Sequence, residues 1–367
     1  MSSLEEKEWG KFEVFGENGF LHIVATSSSV DSIKLKEGSE NIVPYITRSD
    51  LQNGIAKFVS ESNYVFGSDE PGCITVGLDT QTAFYQPHRF ITGQNIHIIS
   101  GASLNKDIAP FYVTILRKQM VAKFNWGGNG ATLGRMKRLH SLLPVDASGS
   151  QDFEFMETYA REKRDSMMRK YRIWLEKRIA ELGEIADIEE LCVKRWEPIA
   201  IANIFERFIP GKSKGLNHLT KTNHNGINYI GATNRNNGVM CYVDYAENTQ
   251  HMILPGNCIG FIKNGDGSAG YAIYKAESFI STSDVIYGYA NWLNKFTGLF
   301  FVAAQDMIEQ KYSHGYKRNK PHLEADRVML PINDNGVPDF DYMEQYAKNM
   351  MLKKYQQYLA FLNLKES

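Results

Sequence analysis

Two stretches of the chain combine cations with amide side chains and contain no carboxylate. Residues 108–145 hold Arg117, Lys118, Lys123, Arg135, Lys137 and Arg138 beside His140, with Asn125 and Asn129 in and next to the glycine loop Gly127–Gly130. Residues 207–243 hold Arg207, Lys212, Lys214, Lys221 and Arg235, with His218, Asn223, His224, Asn225 and Asn234 among them. A further cluster, Lys317-Arg318-Asn319-Lys320, aligns roughly with the Arg135–Arg138 region of the first half. Lysine and arginine make salt-dependent contacts with phosphate. Asparagine, glutamine and arginine pair with base edges, at about 1–3 kcal/mol of discrimination per good bidentate pair. These residue types point to nucleic acid. The DNA-contact candidates are Arg48, Asn53, Lys123, Asn125, Asn129, Arg135, Lys137 and Arg138 in the first half. In the second half they are Lys212, Lys214, Lys221, Asn234, Arg235, Lys317, Arg318 and Lys320. A single basic run is better read as a solvated face. Two acid-free runs in the two halves of a chain whose net charge is −1 favour local DNA-binding patches.

The residues offer little catalytic chemistry. Gly211-Lys212-Ser213 resembles the end of a phosphate loop, but Glu206 stands where that loop requires glycine. There is no HExxH or paired Cys/His set, and no Asn/Asp-Pro-Pro-Tyr/Phe motif for amino methylation. Glu309-Gln310-Lys311 has the Glu-x-Lys form of metal-dependent nucleases, without a Pro-Asp at suitable range before it. Asp79, His88 and Arg89 read as turn or surface residues. Cys73, Cys192, Cys241 and Cys258 show no CxxC spacing and read as incidental thiols of a reducing cytoplasm. The polar, acidic beginning Met1–Lys7 does not resemble a signal peptide. No apolar run approaches the roughly 20 residues that span a bilayer. The expectation is a cytoplasmic protein with no membrane partner.

The elements that must position these residues occur twice. Leu143-Pro144-Val145-Asp146, Gly149, Asp152-Phe153, Met156-Glu157 and Tyr159-Ala160 return as Leu330-Pro331-Ile332-Asn333, Gly336, Asp339-Phe340, Met343-Glu344 and Tyr346-Ala347, each 187 positions later (330 − 143). Trp9 and Trp196 share that offset (196 − 9). A repeat this long is a domain plus a helix, not a solenoid unit. Within each copy, short β-rich runs alternate with turn signals. Ile42–Ile46, Cys73–Val76, Ile96–Ile99, Ile227–Ile230, Met240–Val243 and Ile259–Ile262 read as strands, and Ala109–Lys123 as a short helix. Asn53-Gly54 and Pro71-Gly72 are turns, with counterparts ending at Gly238 and Gly256, both 184 positions on (238 − 54 and 256 − 72).

From Asp152 the pattern is helical. Neither Pro nor Gly interrupts Asp152–Leu182, and Met168, Tyr171, Leu175, Ile179 and Leu182 form one apolar stripe. Asp152 is the expected N-cap and Gly183 the expected stop or kink. A second helix begins at Asp339, with Met343, Ala347, Met351, Tyr355, Tyr358 and Leu362 as its stripe. Pairing the two helices antiparallel buries both stripes. The competing arrangement packs each on its own globule.

The fold class is α/β (mixed α+β), with two tandem pseudo-repeated globular domains joined and flanked by two long helices that pair as an antiparallel coiled coil. The segments are 1–150 (domain one), 151–192 (central helix), 193–336 (domain two) and 337–367 (distal helix). This layout resembles the specificity subunit of type I and type IIB restriction–modification systems. The resemblance covers nearly the whole chain. It is carried by the repeated Leu-Pro-Val/Ile-x-x-x-Gly-x-x-Asp-Phe-x-x-Met-Glu-x-Tyr-Ala block, by Trp9 and Trp196, and by Tyr45-Ile46-Thr47-Arg48-Ser49-Asp50-Leu51 with Asn53-Gly54. It implies two target recognition domains, each reading half of an interrupted site in double-stranded DNA, and helices that act as a ruler. It also implies a partner: a DNA methyltransferase (modification) subunit or a fused restriction–modification subunit. That partner would carry S-adenosylmethionine and Mg2+, flip the target adenine and do the catalysis, leaving this chain without cofactor or active site. The domain-one counterpart of residues 207–243 includes Asp31, Glu37, Glu40 and Asp50, so the two half-sites should differ. The alternatives are a stand-alone metal-dependent nuclease using Glu309 and Lys311, and a protein-interaction scaffold that does not bind DNA.

Overall fold

The computed structural model describes residues 4–124, 130–213, 215–223, 225–265, 267–313 and 315–366. It divides into two compact units, Met1–Tyr171 and Arg172–Ser367. In the first unit the strands are β1 (Trp9–Glu13), β2 (His22–Ala25), β3 (Ile42–Ile46), β4 (Ile55–Ser60), β5 (Cys73–Gly77), β6 (Ala83–Gln86), β7 (Ile91–Thr92), β8 (Ile96–Ser100) and β9 (His140–Pro144). The helices are α1 (Ala109–Lys123), α2 (Leu133–Met136) and α3 (Phe153–Leu182), the last running on into the second unit. Three sheets result: β2-β8-β5-β6, β4-β3-β7 and the ribbon β1-β9. All ladders are antiparallel except β3–β7.

The second unit repeats this plan. Its strands are β10 (Trp196–Ala200), β11 (Arg207–Pro210), β12 (Lys221–Thr222), β13 (Ile227–Ile230), β14 (Val239–Val243), β15 (Cys258–Ile262), β16 (Ala272–Lys275), β17 (Phe279–Ser281), β18 (Val285–Tyr289) and β19 (Arg327–Pro331). Its helices are α4 (Lys295–Gln305), α5 (Lys320–Ala325) and α6 (Phe340–Glu366). The sheets β11-β18-β15-β16, β12-β14-β13-β17 and β10-β19 match those of the first unit strand for strand, with β12 added at one edge. Even the irregularities recur. A bulge at Tyr45/Ile46 has its twin at Tyr229/Ile230, and the turn after it places Asn53 and Asn237 at φ +59° and +49°. Asparagine tolerates this left-handed region, and the following Gly54 and Gly238 are also at positive φ. The strand and α1 expectations therefore coincide with observed elements.

The repeated block is an anchor. Leu143 and Met156 in one unit, and Leu330 and Met343 in the other, are fully buried in the two main cores. Each such side chain contributes about 1.5–3 kcal/mol of burial. Each long helix opens in the same way. Asp152 accepts the Phe155 N–H at 2.9 Å and pairs with Lys7, while Asp339 accepts the Tyr342 N–H at 3.0 Å and pairs with Lys194 at 2.9 Å. Burial opposes ionisation of both caps. Their lysine and N–H partners outweigh it and hold both carboxyls below the usual range. Gly183, at φ +78°, ends α3.

Both packing arrangements expected for the helices occur in the second unit. The first turns of α6 pack on α4, where Phe300 meets Tyr346 edge-on at 5.5 Å. Further along, Trp174 of α3 meets Tyr355 at 5.5 Å, Asn349 bonds both backbone groups of Ala186, and Tyr342 donates to Glu189 O. As one strand of this pairing rises from 174 to 189, the other falls from 355 to 342, so the helices run antiparallel. The expected stripes need one correction: Tyr171 and Tyr358 are exposed, while Leu175, Leu352 and Leu362 are buried. The tyrosines can keep their hydroxyls wet, whereas the leucines have no polar group to solvate.

Candidate nucleic-acid interface

In the second unit, two adjoining clefts share Gly267. One, of about 810 Å3, is lined by Asn264, Gly265, Ala269, Glu309, Tyr312, Ser313 and Lys317. The other, of about 460 Å3, is lined by Thr233, Asn234, Arg235 and Ser268. Three candidates, Asn234, Arg235 and Lys317, are thus brought to one loop cluster. Asn234 accepts from Ser268 Oγ at 3.2 Å, and Arg235 and Lys317 are exposed. Lys320 is exposed and pairs with Glu324 at 3.6 Å. Lys212 and Lys221 are exposed on separate elements, the loop after β11 and the edge strand β12.

The matching place in the first unit collects Arg48, Asp79, Gly130 and Arg135. Arg48 pairs with Asp79, Arg135 donates to Gly130 O at 3.0 Å, and Gly130 lies beside Leu78 and Asp79. Lys137 and Arg138 follow α2, exposed and without an ion pair to any described residue. Lys123 is exposed at the end of α1. Asn125, Asn129 and Lys214, which sequence reasoning also chose, lie outside the described residues.

Two expectations need revising. Arg318 is not a surface cation. It is fully buried, bonded to Asp326 at 2.8 Å, to Gly270 O at 2.9 Å and to Gln305. The run Lys317–Lys320 disguised it, because a sequence cannot show which of four neighbouring polar residues turns inward. Asn53 is exposed, but its amide donates to Tyr85 O at 3.0 Å and Gln86 Oε1 at 3.4 Å. Asn237 does the same to Tyr274 O at 3.0 Å. Both amides tie a turn to a sheet edge, which gives them a structural role.

The catalytic candidates have other occupations. The N–H groups of Gly211 and Ser213 bond strand carbonyls, and a Cβ at Gly211 would lie 1.9 Å from Thr282 O, so this loop is packed against backbone, not open to phosphate. Lys311 holds Asp326 at 2.7 Å. Among the described residues, no group of three or more His, Cys, Asp or Glu is placed to hold a metal. Burial pushes the Cys73 and Cys258 thiols up to about 12, far from nucleophilic range. Among the described residues, no helix is long and apolar enough to cross a membrane.

A second repeated surface is apolar. Leu4, Trp9, Phe111, Ile115, Tyr159 and Ala160 line a groove of about 610 Å3 in the first unit. Leu191, Trp196, Phe300, Tyr346 and Ala347 line one of about 630 Å3 in the second. Four pairs of identical lining residues keep the 187-residue offset: Leu4/Leu191, Trp9/Trp196, Tyr159/Tyr346 and Ala160/Ala347. Each indole N–H donates to the matching leucine carbonyl, at 3.2 and 3.1 Å.

The same sheet-and-helix unit is thus built twice in one chain, each copy with its own loop cluster. The profile of the type I restriction modification DNA specificity domain matches residues 11–170 and again 193–359. The chain belongs to that family, as the repeated block led us to expect. It is similar, at 27% identity over 90% of this chain and 92% of the relative, to the Type II restriction enzyme BgcI specificity subunit S.BcgI of Heyndrickxia coagulans. Solved structures with a related chain path include the type I restriction–modification S subunit from M. genitalium (13% identity, 99% and 95% of the two chains, TM-score 0.47). Another is the HsdS subunit from Thermoanaerobacter tengcongensis (11% identity, 96% and 94%, TM-score 0.31).

Proposed function

We propose that the chain is the non-catalytic specificity subunit of a cytoplasmic restriction–modification complex. Residues 1–150 and 193–336 are its target recognition domains, and 151–192 and 337–367 its spacer helices. Each domain reads one half of a bipartite, asymmetric site in double-stranded DNA. The observation that carries this reading is a frame kept strand for strand while the loop clusters on it differ: Arg48 and Arg135 in one unit, Asn234, Arg235 and Lys317 in the other. Identical frames with unequal contact surfaces suit two different half-sites.

The repeated grooves at Trp9 and Trp196 support docking of a methyltransferase subunit, or of a fused restriction–modification subunit. Exposed aromatic-lined apolar grooves of this kind favour a protein partner. S-adenosylmethionine and Mg2+ belong to that partner, which flips and methylates adenine. Two measurements test the reading. Adenine-methylation maps of the source genome, with and without this gene, should differ by one interrupted motif, and unchanged maps would sink the proposal. Retardation of random duplex DNA at low salt should fade steeply as salt rises. No retardation at micromolar protein would favour a scaffold instead.

A further inference from the structure

We propose that the buried network centred on Arg318 is a positioning device for the DNA-reading loops of the second unit, a device the first unit lacks. The inference rests on the function proposed above. The Arg318 guanidinium lies against the rings of Phe261 and Tyr312, at 5.1 and 5.4 Å. Its partner Asp326, itself buried, also accepts from the Tyr312 hydroxyl at 2.8 Å and from Lys311 at 2.7 Å.

The first unit shows what the frame needs without this network. Arg318 N donates to Lys263 O at 3.0 Å, and Ala131 N donates to Leu78 O at 3.0 Å, so Arg318 and Ala131 hold the same place. By the same offset, Asp326 corresponds to Leu139 (326 − 187), and the carbonyls of both accept from matching backbone N–H groups, those of Ile201 and Val14. Ala131 and Leu139 are both buried in the first unit's main core. Apolar residues therefore close this fold, and a buried ion pair generally gains no net stability over them. What the charges add is geometry.

Arg318 fastens Gly270, at the base of the loop whose Asn264, Gly265 and Ser268 face the clefts. Asp326 fastens Lys311 and Tyr312, where the loop carrying Lys317 begins. Two loops from different parts of the sequence are thereby tied to one buried point, and the hydrogen-bonding fork fixes direction as apolar contact cannot.

The test uses the full chain, purified with any subunits that accompany it, and a duplex library with a randomised centre. Wild-type protein should enrich two half-sites. The charge-free variant Arg318→Met/Asp326→Leu should stay folded by circular dichroism, lose about tenfold of its base discrimination at one half-site, and keep the other. Retention of both half-sites, or equal loss at both, overturns the positioning role. If the double variant does not fold, Tyr312→Phe and Lys311→Met, each removing one tie to Asp326, should lower discrimination at the same single half-site. No loss in either overturns the proposal. If wild type enriches nothing, the DNA reading fails and this inference falls with it.

Discussion

Asn53 holds its turn at φ +59° and joins it to β6 through two amide hydrogen bonds. Asn53→Ala should cost about 1–3 kcal/mol in chemical denaturation, from lost hydrogen bonds and left-handed strain. Asn53→Gly, which keeps the backbone freedom, should cost less. Equal losses would mean that the conformation contributes nothing. Asp306 makes a sharper prediction. Burial raises its carboxyl to about 6, although the Ala272 N–H, Gln305 and Arg318 favour its ionised form. A folded-state value above the unfolded one means that the folded protein binds more protons between roughly pH 4 and 6, so this group's contribution to stability falls as pH rises through that window. Asp306→Asn should remove that slope: relative to wild type, it should be more stable at pH 7 than at pH 4.5. A constant difference in denaturation midpoint would refute the assignment. Asp152 and Asp339 act with opposite sign, stabilising above their unfolded values and losing this as pH falls. Little of this was legible in sequence, because burial of a polar residue depends on contacts far along the chain. Gly270, Gln305 and Arg318 span 48 positions.

At the scale of elements, sequence was far more informative. Both long helices, the Asp152 cap and the Gly183 stop follow from periodicity and cap chemistry, which are local. Strands β3, β5, β8 and β15 follow from their dense β-branched runs. The packing of α6 was ambiguous because its apolar residues serve two neighbours in succession, α4 near Tyr346 and α3 near Tyr355. A stripe records that a face is covered, not by what. Asp339→Ala should cost about 0.5–2 kcal/mol through loss of the cap and of the Lys194 pair. Thermal unfolding followed by far-UV circular dichroism measures it, and an unchanged midpoint would show that the cap is dispensable.

For the whole molecule, the recognition reading predicts unequal effects of paired changes. Lys137→Ala/Arg138→Ala should weaken DNA binding evenly across sequences. It should also lower the slope of log affinity against log salt by about 2 if both residues touch phosphate. An unchanged slope would remove that patch from the interface. Trp9→Ala and Trp196→Ala should each impair docking at one groove only, seen by native mass spectrometry as loss of one partner copy. If either change released every copy, the grooves would not be independent sites.

The ribbon pairing Trp9 with Pro144, and its copy pairing Trp196 with Pro331, bear on the order of events during synthesis. Each unit keeps its first strand unpaired until its last strand leaves the ribosome, so β1 waits for more than 130 residues (144 − 9). Met156, the last core anchor of the first unit, emerges 187 residues before Met343 does the same for the second (343 − 156). At ordinary elongation rates of about 5–20 residues per second, that interval is about 10–40 s. The first copy has that time to close its core while its twin is still being translated. Two nearly interchangeable sets of strands are thereby kept from competing for one another's partners by the timing of their appearance.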